Sequence, residues 1–488
     1  MQVSTIRSLG SAAPDAAVVG VHPGGSFAAG STPFTRGAAS WLRAELDAAG
    51  FGGDSGESAV LTGRDLPVGR LAFVGLGDEA DLESMRQAAA RGRTALPRAD
   101  SIATALHRLP IDGALGAVVE GFGLADYRFR AYKSSPEHRP ELTLQLLSAG
   151  KAGKNGVGKD EEQIERSTVL IESVHLARDL VNEPPAGKGP AELAGRVAAI
   201  ATEAGMTTEI WDVDRLEAEG MGGMVGVGRG SHRPPVLLTL RHRPRRPRAR
   251  LVLVGKGIVF DSGGLSIKPA KSMETMKCDM AGAAAVAAAA IATARLGVPV
   301  EVVAHAALAE NMPGGGAQRP GDVVTARNGK TIEVMNTDAE GRVVLADALS
   351  LAAESEPDMM VDVATLTGAC KVALGPHIAG IFGPDPDVVE TVRRAAQSAG
   401  ERTWPLPLPG DHRSMIDSAV ADMRNTGDGP HGGAIAAALL LAEFVGDVPW
   451  AHLDVAGPAW ADSADHYIPR GGTGFGVRTL VELAESMR

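Results

Sequence analysis

Short apolar runs alternate with longer, alanine-rich segments along most of this chain, and that rhythm restricts it to a layered α/β architecture. Arg70 to Gly77 (RLAFVGLG) is an apolar run ending in glycines and reads as a buried strand. Leu82 to Leu96 is rich in Ala, Arg and Gln and reads as a helix, whereas Glu141 to Leu147 (ELTLQLL) alternates as a strand does. Further along, Val236 to Leu240, Leu251 to Val254, Val300 to Val303 and Met359 to Val363 read as short buried strands. Ala281 to Ala294, Arg342 to Ser355 and Ala434 to Phe444 read as helices. A central, mostly parallel sheet covered by helices buries such runs on both faces.

At 488 residues the chain is too long for one ordinary core. The stretch from Ser148 to Asp160 (SAGKAGKNGVGKD) cannot support a core and marks the domain boundary. A helix follows, with Ile164, Ile171, Val174, Ala177 and Val181 at helical spacing, and Pro184-Pro185 ends it. The expected organisation is a smaller N-terminal α/β domain over 1–150, a linker and connecting helix over 151–183, and a larger C-terminal α/β domain over 184–488.

With 44% hydrophobic and 22% charged residues the composition is that of a soluble globular protein. The net charge of −11 argues against a protein that coats nucleic acid. One dense basic tract, RHRPRRPRAR from Arg241 to Arg250, could contact phosphates, although a solvated loop between two strands is the simpler account. Two cysteines, Cys278 and Cys370, form no disulfide framework and suit a reducing compartment. No export signal is evident, and the alanine-rich stretch is too short and too weakly apolar to span a bilayer, so a cytoplasmic location fits. HExxH, GxSxG, CxxC and P-loop patterns are missing. GMGGMVGVGRGS (Gly220 to Ser231) lacks the GxGxxG spacing and reads as a structural turn.

Chemistry concentrates between Lys256 and Arg342. In LVLVGKGIVFDSGGLSIKP, a strand of four apolar residues ends in Gly-Lys-Gly, and a second apolar triplet leads into Asp261. A carboxylate at the end of a buried strand needs a partner, because isolated buried charge is costly. Asp261 could instead brace the Ser-Gly-Gly turn, and Asp279 could cap the alanine-rich helix. In NTDAEGR, Asp338, Glu340 and Arg342 stand at alternate positions, and on an extended backbone all three would face one side. Carboxylates held side by side repel unless a cation lies between them. Asp261, Asp279, Asp338 and Glu340 with few histidines nearby favour Mg, Mn or Zn in a paired site, able to activate a shared water and polarise a carbonyl.

VGKGIVFDSGGLSIKP, MKCDMAG, NTDAEGR and ATLTGA, in this order, resemble the signature set of the leucyl aminopeptidase (M17) family. The resemblance runs from about Ala177 (ARDLVNEPP) to the C-terminus and is weaker before it, mainly at Gly121 to Lys133. It implies a metal-dependent aminopeptidase that releases single N-terminal residues, preferably Leu or other apolar ones, through a water activated by two metals. The implied metal ligands are Lys256, Asp261, Asp279, Asp338 and Glu340, holding Mn or Zn, with Mg or Co as alternatives. Lys268 and Arg342 are the implied catalytic residues, with a bicarbonate anion near Arg342. Met276, Thr365 and Gly368 match positions lining the pocket for the first side chain, and Leu366 matches one whose carbonyl binds substrate. The chain departs from many relatives at GGTGFGVRTL, where they carry Gly-Arg-Pro after the Thr, which leaves the preferred side chain open. The resemblance also implies peptide substrates and a homo-hexamer. Some relatives double as DNA-binding proteins, which the basic tract keeps open. A catalytically dead scaffold is disfavoured because no motif position has been lost.

Overall fold

The computed structural model describes residues 1–11, 13–62, 68–134, 141–148, 154–429 and 431–488. Residues 149–153 of the glycine-rich stretch read as a boundary lie outside the described residues. The chain divides into two compact units, Met1–Glu172 with Ser463–Arg470, and Ser173–Asp462 with Gly471–Arg488.

The first unit is built on a seven-stranded sheet. Strands β1 (Gln2–Ile6), β2 (Ala16–His22), β3 (Ser26–Phe27), β4 (Ser58–Thr62), β5 (Arg70–Gly75), β6 (Ser101–Thr104) and β7 (Thr143–Leu147) take the order β1-β7-β6-β2-β5-β4, with β3 on β2. All neighbours are parallel except β4 on β5 and β3 on β2. Two helices, Leu82–Ala95 and Ala114–Ala125, belong to this unit. The first begins where Asp81 and Ser84 satisfy each other's backbone amides, at 2.7 and 2.8 Å. Arg86 and Glu120 join the two helices through a buried 2.8 Å pair.

The second unit centres on an eight-stranded sheet. Its strands are β8 (Thr207–Trp211), β9 (Val236–His242), β10 (Arg250–Asp261), β11 (Glu301–Asn311), β14 (Met359–Ala364), β15 (Ala379–Phe382), β16 (Thr403–Pro405) and β18 (Trp450–Asp454). The order is β16-β15-β18-β14-β10-β11-β9-β8, and the middle four, β18, β14, β10 and β11, are parallel. A separate three-stranded sheet, β12 (Asp322–Thr325), β13 (Thr331–Val334) and β17 (Met423–Arg424), lies before and after the NTDAEGR segment in sequence. The expectation of a mostly parallel α/β fold holds. Both cysteines are buried and free. Residues 243–249 of the basic tract connect β9 to β10, with Arg250 tied to Glu301 at 3.2 Å.

Two local readings need correction. The apolar runs on either side of Gly-Lys-Gly are one twelve-residue strand, β10, with a register shift between Ile258 and Phe260. The strand continues through the glycines because the helix Ala281–Arg295 lies almost in contact with it there. A Cβ on Gly255 would sit 2.5 Å from the Ala283 Cα, and one on Gly282 would sit 2.0 Å from the Val363 carbonyl oxygen. Alanine dominates this helix because larger side chains would hold it off the sheet, and thirteen of its residues are buried. The second correction concerns Gly220 to Ser231, where Gly222–Gly228 forms a short helix rather than a turn. Its Met224 amide donates to the fully buried Asp347 carboxylate at 2.8 Å, which fixes the segment against the helix Gly341–Ala353.

The tight contact of Gly282 has a measurable consequence. Gly282→Ala forces the helix off the Val363 carbonyl and should cost about 1–3 kcal/mol of stability, read from urea unfolding by circular dichroism. An unchanged midpoint would mean that the helix shifts freely.

Candidate metal centre

Four segments meet at the carboxyl edge of the parallel strands, where open α/β sheets hold their ligands. Lys256 lies within β10 and Asp261 ends it. Lys268 follows in the next loop, and Asp279 stands between the 3-10 turn Met276–Cys278 and the helix Ala281–Arg295. Asp338 and Glu340 lie in the connection from β13 to the helix Gly341–Ala353, and Thr365 follows β14.

Two lysines pair the acids. Lys256 Nζ is 2.9 Å from Asp279 Oδ1 and 2.8 Å from Glu340 Oε1, and it donates to the Thr365 carbonyl at 3.0 Å. Lys268 Nζ is 2.7 Å from Asp261 Oδ2 and 2.5 Å from Asp338 Oδ1. Oxygens of Asp261, Asp338 and Glu340 all lie within 4.8 Å of one another. Burial works against the Lys256 ammonium, but Asp279, Glu340 and Asp261 outweigh it and hold its pKa above that of an ordinary lysine. Lys268 is raised in the same way, burial being overcome chiefly by Asp261. Burial raises Asp279, and the neighbouring Asp261 adds to that against the pull of Lys256. Burial and then repulsion from Asp261 raise Glu340.

The donor set suits a divalent cation. Asp279 Oδ2 and Glu340 Oε2 are buried without a hydrogen-bond partner, and buried carboxylate oxygens seldom remain so unless another acceptor of their lone pairs is expected. Oxygen-rich clusters of this kind match hard or borderline ions.

Local backbone differs from the extended form considered for NTDAEGR. Residues 337 and 338 form a turn, in which the Asp338 amide donates to Asn336 Oδ1 at 2.8 Å and the Ala339 amide to the Asn336 carbonyl at 3.1 Å. Asparagine is suited to such a turn because its side chain stands in for a backbone acceptor. Asp338 and Glu340 still converge, through the turn rather than through strand alternation. Asp261 does both things considered for it: Oδ1 accepts from the Gly263 amide at 2.8 Å, bracing the turn, while Oδ2 faces Lys268. Asp279 does not cap the following helix, whose N-cap, Met280, makes no side-chain cap bond; its carboxylate faces Lys256 and Thr365 Oγ1 instead.

Arg342 is buried in the first turn of its helix and donates from Nη1 to the Asn425 carbonyl at 2.9 Å, while Nε has no partner. Among the described residues neither Asp338 nor Glu340 forms an ion pair with it. Burial pushes its pKa down to about 10. Of the residues matched to substrate binding, Thr365 joins the cluster through its hydroxyl, 2.7 Å from Asp279 Oδ1. Met276 opens the turn before Asp279. The Leu366 amide donates to Asp454 at 3.3 Å, and Gly368 begins the helix Gly368–Leu374 with open space around its Cα.

Sequence reasoning missed three supports. Asn311 ends β11 opposite Asp261 and donates to it at 2.8 Å and to the Thr337 carbonyl at 3.0 Å. Thr337 Oγ1 donates to the Gly263 carbonyl at 2.6 Å. Asn425 accepts from the Met335 amide at 2.8 Å and donates to the Asn336 carbonyl at 2.7 Å. Only Asn311 had a signal, an amide closing an otherwise apolar strand; the other two depend on tertiary proximity.

Comparison with known proteins places these features in context. The family model for the cytosol aminopeptidase catalytic domain matches residues 175–481, and that for the family's N-terminal domain matches residues 18–136. A probable cytosol aminopeptidase of Rhodococcus jostii is 45% identical, covering 91% of this chain and 88% of its own. One from Leifsonia xyli subsp. xyli is 44% identical, covering 97% and 96%. Among solved structures, the bottromycin maturation enzyme BotP in complex with Mn is 38% identical, with a TM-score of 0.86 and coverage of 97% and 99%. A mutant of tomato leucine aminopeptidase is 34% identical, with a TM-score of 0.87 and coverage of 100% and 96%.

Removing the central cation tests the charge arrangement independently of turnover. In metal-free protein Lys256→Met leaves Asp279 and Glu340 buried without their counter-charge, and should cost about 3–5 kcal/mol, measured by denaturation in the presence of a chelator. A cost under about 1 kcal/mol, the range of exposed pairs, would contradict the buried network.

Proposed function

The chain belongs to the cytosol aminopeptidase family, and on that premise we propose that it releases single N-terminal residues, preferably Leu or other apolar ones, from peptides with the help of two divalent cations. The observation that carries the proposal is the buried cluster in which Asp261, Asp338 and Glu340 approach within 4.8 Å while oxygens of Asp279 and Glu340 lack partners. Lys256, Asp261, Asp279, Asp338 and Glu340 would hold the ions. A bound pair supplies Lewis-acid polarisation of a carbonyl and a lowered pKa for a water. Mn or Zn suits this donor set, with Mg or Co as alternatives; a Mn complex of a similar enzyme supports Mn.

The chain's own groups have distinct tasks. Lys256 must give up its proton to serve as a ligand, so loading releases a proton into the cluster or the solvent. Lys268 has the more open position of the two lysines, with 15% of its side chain exposed against 4%. It would donate to the oxygen of the scissile carbonyl as negative charge grows there. Arg342, through its unpartnered Nε and the first amides of its helix, would hold a bicarbonate, whose contribution is a proton acceptor beside the attacking water. Met276, Thr365 and Gly368 would line the pocket for the first side chain, and the Leu366 carbonyl would help to hold the substrate backbone. With ions held there, the site would favour substrates with a free α-amine, which would select exopeptidase chemistry by proximity. We assign the working form to a cytoplasmic homo-hexamer, and the basic connection 243–249 to solvent rather than to DNA.

One experiment tests the reaction. Metal-stripped protein refilled with Mn, Zn, Mg or Co is given Leu-Gly-Gly, acetyl-Leu-Gly-Gly and Asp-Gly-Gly. The expected result is release of Leu only after refilling, no cleavage of the acetylated peptide, and a weaker reaction with Asp. Full activity in metal-free protein, checked by mass spectrometry, overturns the metal reading. Comparable cleavage of the acetylated peptide overturns the amine-anchored mechanism.

A second experiment separates roles. Asp338→Ala and Glu340→Ala should lower both bound metal and turnover. Lys268→Ala should lower kcat by roughly 100-fold or more with metal content nearly intact. Equal loss of metal in Lys268→Ala and Asp338→Ala would reverse the assignment.

A further inference from the structure

The turn that carries Met276 and leads into Asp279 has weak local support. It is a single 3-10 turn, closed by Cys278 N to Thr275 O at 2.9 Å and Asp279 N to Met276 O at 3.3 Å, and the helix after it lacks a side-chain cap. Its position therefore depends on tertiary ties. On one side the Asp279 carbonyl accepts from the Ile258 amide of β10 at 3.2 Å. On the other side stands Lys188, which is 1% exposed.

Lys188 Nζ donates to the carbonyls of Leu180 and Val181 at 2.9 Å each and to the Lys277 carbonyl at 2.7 Å. Three acceptors match the three N–H bonds of an ammonium. Leu180 and Val181 belong to the last turn of the helix ending at Asn182, where carbonyls lack helical partners and the dipole is negative. The tie is reciprocal. Lys277 Nζ donates to the Asn182 carbonyl at 2.7 Å and lies 5.8 Å from the centre of the Trp460 ring. Three successive carbonyls at the helix end are thus taken by two ammonium groups, one of which belongs to the turn itself. Burial, and after it repulsion from the Lys277 ammonium, push Lys188 down to about 7, against smaller opposing effects of Cys278 and Glu183. A lysine serving only as a helix cap would not need the bond to the Lys277 carbonyl. That bond joins the helix end to the segment before Asp279.

We infer that Lys188 and Lys277 are positioning residues, which clamp the Met276–Asp279 turn to the end of the helix Lys154–Asn182 and so set both a metal-ligating carboxylate and a wall of the first-residue pocket. The inference rests on the roles proposed above for Met276 and Asp279. Releasing the clamp lets both residues move together, so metal affinity and side-chain selectivity should change in one variant.

The test uses full-length protein carrying Lys188→Met, which keeps the unbranched shape and most of the length of the side chain and removes all three donors, and Lys277→Met. Leu216→Ala, in the buried face of the helix Val213–Ala218 and outside the site, is the control for lost stability. Mn binding to metal-free protein is measured by calorimetry, and the kcat/KM ratio of Leu-Gly-Gly to Ala-Gly-Gly by product release. Lys188→Met should weaken the tighter Mn step at least roughly tenfold, the scale seen when groups supporting a metal ligand are removed, and should lower the Leu-to-Ala ratio. Lys277→Met, which keeps its carbonyl, should change both in the same direction by less. If Lys188→Met matches Leu216→Ala in both readings, the clamp is only structural and the inference fails. If Lys188→Met does not fold, Lys277→Met decides against the same control. Should Mn-loaded wild type release no amino acid, the proposed function fails, while Mn affinity still decides the clamp.

Discussion

The carboxylates of Asp261, Asp279 and Glu340, all buried, and the half-buried Asp338 repel one another, and the surrounding structure is arranged to hold them there. Lys256 lies between two of them and Lys268 between the other two, each within 3 Å of its partners. Neither lysine fully relieves the cluster, since burial keeps Asp279 and Glu340 beside Lys256, and Asp338 beside Lys268, above the ordinary carboxylate range. Positive charge in the form of metal ions would complete what the lysines begin. One lysine is buried within a strand, whereas the other sits on a loop with 15% of its side chain exposed.

Holding like charges together requires a rigid frame. That frame is the contact between β10 and the helix Ala281–Arg295, where Gly255 and Gly282 let backbones approach to distances that a side chain would prohibit. The contact positions Lys256 on the strand against Asp279 at the head of the helix. From the other side Asn311 and Thr337 fix Asp261 and the turn carrying Asp338, and Asn425 holds that turn and Arg342 together. Each of these three groups limits where an oxygen of the cluster can lie.

Much of this was legible in the sequence because it depends on local pattern. The strands β10, β11 and β14 each contain apolar runs and the helix Ala281–Arg295 is mostly alanine, so their identity follows from composition within a window. Asp261, Asp338 and Glu340 stood out as charges in segments where charge is costly. Three features were not legible. The passage of β10 through Gly-Lys-Gly depends on a helix packed against it, not on the glycines' own preference. The turn at Asn336 competes with an extended backbone that satisfies the same alternation of side chains, and an asparagine hydrogen bond decides between them. Asn425 and Lys188 gain their meaning only from partners far away in sequence, which no window contains.

That separation bears on when the site can exist during synthesis. Lys256 must meet Thr365, and Arg342 must meet Asn425, so the cluster closes over loops of 109 and 83 residues. Contacts of such span are slow to form and cannot form at all until their distal partner has left the ribosome. A chain halted before β14 holds all four acids but not the carbonyl that orients Lys256, and a chain halted before Asn425 lacks the tie that seats Arg342. Nascent chains therefore carry the charges of the site before they carry its geometry, and the site is completed late in synthesis.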